Sequence, residues 1–204
     1  MIAPRGEPIS ELPLGETESW IPARVVSVAS RLAVLDPNRL DLAIHVRANA
    51  SLDAEPTLRL EGLGDSVSTT RFRDAIAIIL RRPRNEGALM SLVVDPFEGR
   101  VLEGPTDILP SDRDTAHDAA ADDEGATIGV CFGAQSADRG ELRFVLLGPD
   151  GRRLGRSVRV AAGYQSPPWC QVASAGRDRY VVAWTNSPLF VQPRVHAALV
   201  HVRR

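Results

Sequence analysis

Lysine is missing from this chain of 204 residues: all 24 basic side chains are arginine. With 26 acidic residues the formal net charge is −2. Nucleic acid and anionic membrane both require a basic excess, so neither is expected as a partner. Basicity carried by arginine alone suits recognition of anions by guanidinium forks. A GC-rich coding bias produces the same substitution everywhere, and that is the simpler reading.

Cysteine is nearly absent as well. Cys131 and Cys170 are the only two, too few for a disulfide framework or for the four ligands of a structural zinc. They read as two buried thiols, with a single bridge as the alternative. No apolar run approaches the roughly 20 residues of a membrane-spanning helix. The opening "MIAPRGEPIS" lacks the charged and then apolar pattern of an export signal.

Catalytic signatures are also missing. There is no Gly-x-Ser-x-Gly elbow, no phosphate-binding glycine loop, no His-Glu-x-x-His and no cysteine placed beside a histidine in sequence. The acidic stretch "SDRDTAHDAAADDEG" (111–125) lacks the Asp-x-Asp-x-Asp-Gly spacing of a calcium loop. His117 has Asp114 and Asp118 near it but no second histidine, and His196 and His201 are oddly spaced on one strand, hence on opposite faces. No metal and no cofactor are expected.

What the sequence does contain is short apolar runs rich in Val, Ile and Leu, such as "RLAVL", "AIAIIL", "TIGVCF", "LRFVLL" and "YVVAW", separated by Gly, Pro, Asp and Asn. This is strand punctuation, and no window holds a 3.6-residue period over a helix's length. The fold class is all-β.

The runs also repeat. "LMSLVVDPFEGRVLEGPTDI" (89–108) falls on "LRFVLLGPDGRRLGRSVRV" (142–160) with one gap, matching Pro and Gly in the turn. His117–Phe132 falls on Trp169–Trp184, Asp65–Leu80 falls on both, and Trp20–Leu35 is a fourth, fainter copy. Each unit reads as four strands, with a tight turn such as "AGRD" after the first and "GPDG" after the third. Repeated four-stranded units of about 45–53 residues are the signature of β-propeller blades. One domain over 1–204 is expected, with units at about 20–60, 65–108, 117–160 and 169–204. The last unit lacks a fourth strand, and residues 4–10 ("PRGEPIS") are expected to complete it, closing a four-bladed ring without free sheet edges. A closed ring would favour a monomer. The alternatives are a fragment of a larger propeller and a β-sandwich.

"PPWCQVASAGRDRYVVAWT" followed by "GPDGRRLGRSVRV"-type turn-strands resembles the propeller-type repeats of large bacterial surface and secreted proteins, notably of myxobacteria, best over residues 117–204. The resemblance implies a blade, not an activity, and implies secretion or a cell-envelope location, against the missing export signal. The usual Trp-Asp ending is absent: Thr185 follows Trp184, and Phe132 and Leu80 stand in its place in other copies.

Because Trp184, Phe132 and Leu80 share a register, they read as core. Function is expected on the loops between second and third strands (36–39, 81–87, 133–140, 185–193), which share a face with the connections between blades. The candidate binding residues there are Arg82, Arg84, Asn85, Gln135, Asp138, Arg139 and Asn186, and none is assigned a catalytic role. The expected function is a non-catalytic scaffold for an unidentified protein or carbohydrate. The alternative is a propeller-type glycoside hydrolase using paired loop carboxylates among Asp36, Glu86, Asp114 and Asp138.

Overall fold

The structure, a computed structural model, describes residues 24–29, 31–38, 41–47, 56–61, 67–81, 88–109, 117–136, 139–186 and 194–202. Among them there are fifteen strands and no helix. The first sheet is Arg24–Val28 (β1), Arg31–Asn38 (β2), Asp41–Arg47 (β3) and Leu58–Leu60 (β4). The second is Val67–Phe72 (β5), Ala75–Arg81 (β6), Leu89–Asp95 (β7) and Arg100–Leu109 (β8). The third is His117–Ala121 (β9), Ile128–Ser136 (β10), Arg139–Leu147 (β11) and Val158–Tyr164 (β12). The fourth is Trp169–Ser174 (β13), Arg179–Asn186 (β14) and Arg194–His201 (β15). Each is an antiparallel meander in chain order. The four sheets are the blades of a four-bladed β-propeller, with β1, β5, β9 and β13 innermost. The expected strand at residues 4–10 lies outside the described residues.

Three apolar cores separate successive blades. Val26, Val28, Ala33 and Leu35 meet Val67, Ile76, Ile78 and Leu80 between the first and second. Ala77, Ile79 and Val93 meet Val130, Phe132 and Val145 between the second and third. Cys131, Leu142 and Phe144 meet Cys170, Tyr180, Val182 and Trp184 between the third and fourth. Blades two and three are therefore buried on both faces, which is why β6 and β10 are apolar runs without alternation. Both cysteines are buried thiols in the third core, with no disulfide between them.

The inner strands are also stitched by polar bonds from one blade to the next. The Ser68 hydroxyl donates to the His117 carbonyl at 2.8 Å, the Ala121 amide donates to Thr70 Oγ1 at 3.0 Å, and the Val172 amide donates to Asp118 Oδ2 at 2.9 Å. Farther along, Arg73 Nε donates to the Gly125 carbonyl at 2.9 Å and Ser174 Oγ to Asp123 Oδ1 at 3.0 Å. A buried network locks the fourth blade to the third: Tyr180 Oη lies 2.8 Å from Thr127 Oγ1, which donates to Asp122 Oδ2 at 2.8 Å.

The turns match their residues. In "AGRD" the Ala175 amide donates to the Arg179 carbonyl at 2.9 Å, and Asp178 takes the left-handed conformation that Asp tolerates. In "GPDG" Gly151 has φ +72° and its amide donates to the Gly148 carbonyl at 3.0 Å. A side chain at Gly151 would be strained at that φ and would meet Ser91 Oγ at 2.7 Å.

Three details of the sequence reading change. In the first copy, Val28↔Arg31 and Phe72↔Ala75 are both two-residue turns, so Leu35 corresponds to Ile79 and not to Leu80. In the last copy, Trp184 pairs with Cys170 whereas Phe132 pairs with His117, so His117 corresponds to Cys170 and not to Trp169. Side chains alternate with period two, so each one-residue slip moves a strand's side chains to the opposite face. Finally, two of the supposed long loops are mostly strand: Asn38 pairs with Asp41 and Ser136 with Arg139. Polar residues ended the apolar runs, but backbone pairing continues past them.

Candidate functional site

A cavity of about 540 Å³ opens where the inner strands begin. Arg24 starts β1, Val67 starts β5, His117 starts β9 and Trp169 starts β13, and all four line it. Cys170, Gln171, Ala183, Trp184, Thr185 and Val195 of the fourth blade complete one wall. The site is therefore the mouth of the propeller axis, on the face where the connections between blades arrive.

Several lining groups are already engaged. Asp118 accepts from the Val172 amide, and His117 Nε2 lies 3.2 Å from the Ile79 carbonyl, which places the proton on that nitrogen. The Trp184 indole N–H donates to the Tyr164 hydroxyl at 2.7 Å, and its ring stacks on His196 at 5.5 Å between centroids. Trp184 is 8% exposed.

Trp169 is the opposite case. It pairs with Thr185 on the other face of the fourth sheet and is 72% exposed. Around it, on that same face, stand Gln171, Ala183, Thr185 and Val195, the last 75% exposed. Among the described residues this face has no core of its own, and Val25 of the first blade is likewise exposed.

Register explains why polar groups are left free here. Thr69, Ala119 and Val172 stand opposite Ile78, Val130 and Val182, so Ser68, Asp118 and Gln171 are equivalent positions. Ser68 and Asp118 each bond to the first strand of the following blade. Gln171 occupies the same stitching position, yet among the described residues its side chain makes no hydrogen bond. Nor do Arg24 and Thr185, which line the same cavity. An amide, a hydroxyl and a guanidinium thus converge beside an open indole face. Among the described residues Asp118 is the only carboxylate in the lining.

Of the residues singled out from sequence, Gln135 lies in β10, Arg139 begins β11 and Asn186 ends β14. All three are at strand ends on the face where the cavity opens, and Gln135 and Arg139 do not line it. Arg82, Arg84, Asn85 and Asp138 lie outside the described residues, as do Glu86 and Asp114. The side chains that build the cavity wall, Trp169, Gln171 and Thr185, were missed. The signal that finds them is the turn centre at Arg177, which pairs Trp169 with Thr185 and Trp184 with Cys170, and so puts the two tryptophans on opposite faces of one hairpin.

The geometry defines a propeller with an axial, aromatic-walled cavity. No family model matches the chain, and no curated protein matches it. Solved structures do share its fold. A thermostable family-43 glycoside hydrolase matches with TM-score 0.54 at 12% identity over 87% of this chain and 67% of its own. The GH43_1 enzyme from Xanthomonas citri, complexed with xylotriose, matches with TM-score 0.50 at 15% identity over 87% of this chain and 68% of its own. TolB from Acinetobacter baumannii matches with TM-score 0.52 at 11% identity over 88% of this chain but only 43% of its own. At these identities the likeness is one of fold.

Proposed function

We propose that the protein is a non-catalytic scaffold that binds a glycan in the axial cavity, with Trp169 as the stacking platform. The observation that carries this reading is the exposed indole beside unengaged Gln171, Thr185 and Arg24. A sugar ring presents a C–H face and an edge of hydroxyls. An aromatic face covers the first, and amide, hydroxyl and guanidinium groups satisfy the second. A cavity of this size, apolar in part with a few convergent polar groups, is what small-ligand sites are built from. Arg82, Arg84, Asn85, Gln135, Asp138, Arg139 and Asn186 are proposed as an outer rim that extends the site.

The hydrolase reading draws on fold likeness to glycoside hydrolases, and fold does not carry activity. Hydrolysis needs two carboxylates flanking the scissile bond, and Asp118, the one described carboxylate in the cavity, is held by a backbone amide. Binding is therefore favoured over turnover.

The test is calorimetry against neutral oligosaccharides (cellohexaose, xylohexaose, chitohexaose, mannohexaose) with wild type and Trp169→Ala. Binding of one of them, weakened about tenfold or more by Trp169→Ala, supports the reading; an aromatic contact worth roughly 1 kcal/mol beyond its buried area produces that loss. Binding that is indifferent to Trp169, or sugar turnover abolished by Asp138→Asn or Asp114→Asn, overturns it.

A further inference from the structure

A second cavity, of about 500 Å³, lies on the opposite face of the disc between the third and fourth blades. Its apolar lining comes from Phe144, Leu146, Leu154 and Val158 of the third blade and Val200 and Val202 of the fourth. Leu154 is 57% and Val158 51% exposed, so apolar walls stand in water.

Register shows why this junction is open while its neighbour is filled. Leu92, Val145 and Ala198 are equivalent, standing opposite Ile78, Val130 and Val182. Ser91 and Phe144 are therefore equivalent too. At the second-to-third junction the turn after β11 folds over Ser91, whose hydroxyl donates to the Gly151 carbonyl at 2.7 Å. At the third-to-fourth junction Phe144 replaces Ser91, a polar anchor exchanged for an apolar ring. Arg203 and Arg204, the positions equivalent to Asp150 and Gly151, lie outside the described residues.

Arg156 carries the one formal charge among the described lining residues. Among the described residues Arg156 and His201 both line the cavity, no carboxylate does, and neither makes an ion pair. Thr127, the remaining polar side chain, is engaged by Asp122 and Tyr180. We propose that this groove is a second ligand site, for a small amphipathic anion: a hydrocarbon or aromatic body against Phe144, Leu154 and Val158, with a carboxylate or sulfonate head paired to Arg156. It is separate from the axial cavity and does not depend on the glycan reading.

The probe is anilinonaphthalene sulfonate, with dodecanoate and dodecanol as competitors, on the full chain in its native state as verified by near-ultraviolet circular dichroism. One saturable site is expected, displaced by dodecanoate and at least several-fold less well by dodecanol. Leu154→Glu, on the exposed wall, weakens the dye about tenfold or more, since each lost buried methylene is worth roughly fourfold and the new carboxylate repels the head group. Arg156→Glu weakens dodecanoate several-fold, and Trp169→Ala changes neither. Binding unaffected by both Leu154→Glu and Arg156→Glu, or lost with Trp169→Ala, overturns the proposal. So does equal displacement by dodecanol, or displacement by phosphatidylglycerol vesicles alone.

Discussion

Trp184 and Trp169 sit on one hairpin, and their opposite faces translate into a large difference in stability on truncation. Trp184→Ala removes an 8% exposed ring from the third core, where it packs with Cys131, Leu142, Phe144 and Val182. Truncating a buried Trp costs about 3–5 kcal/mol, transfer and cavity terms together. The indole also donates to Tyr164 Oη at 2.7 Å, a bond whose net worth is about 1 kcal/mol. For a chain of this size each kcal/mol moves the midpoint about 2–4 °C, so Trp184→Ala should melt roughly 6–20 °C below wild type. Trp169→Ala, at 72% exposure, should stay within about 0.5 kcal/mol. Thermal and urea unfolding followed by circular dichroism measures both. A cycle with Tyr164→Phe should show a coupling of about 1 kcal/mol with Trp184→Ala and none with Trp169→Ala. Equal destabilisation by the two tryptophan truncations would refute the register on which the site rests.

Other expectations concern the third junction. A Cβ on Gly129 would meet the Tyr180 ring at 2.7 Å and Phe144 at 2.8 Å, so Gly129→Ala should destabilise by about 1–3 kcal/mol through overpacking, measured by urea midpoint. Asp122 is buried and accepts from the Ala126 amide and Thr127 Oγ1. Asp122→Ala leaves both donors unpaired and should cost about 2–4 kcal/mol, with Tyr180→Phe adding less than its single-mutant cost. Cys131 and Cys170 are buried thiols outside any disulfide, so a thiol reagent should count none in the native state and two after unfolding; rapid native labelling would contradict the packing.

Periodicity carried much of the architecture. Runs such as "AIAIIL" and "IGVCF" are apolar at consecutive positions because both faces of those blades are covered, and the repeat length named the blade. The turns were legible too, since Gly151 and Asp178 hold conformations that few residues accept. What was not legible was register at the ends. The four-residue turn at 123–126 and the three-residue turn at 176–178 look alike in a chain whose strands are rich in Val, Ala and Ile, and that slip of one residue turns Trp169 from core to cavity wall. The site was hidden for a second reason. Gln171 carries no motif; it stands out only because its equivalents, Ser68 and Asp118, have partners in the next blade and its side chain has none among the described residues. Such a difference exists between blades and not within any short stretch. The outer groove was equally invisible, since Phe144 in the place of Ser91 looks like one more core residue in an apolar strand.

The most direct test of glycan binding in the axial cavity is the indole N–H signal of Trp169 during titration with the oligosaccharide that binds best in the calorimetric panel. Stacking on the exposed ring should shift the Trp169 resonance in a saturable way, while the Trp184 resonance, fixed by its bond to Tyr164, moves little. A Trp169 signal that stays still while sugar binds would place the ligand elsewhere and contradict the account.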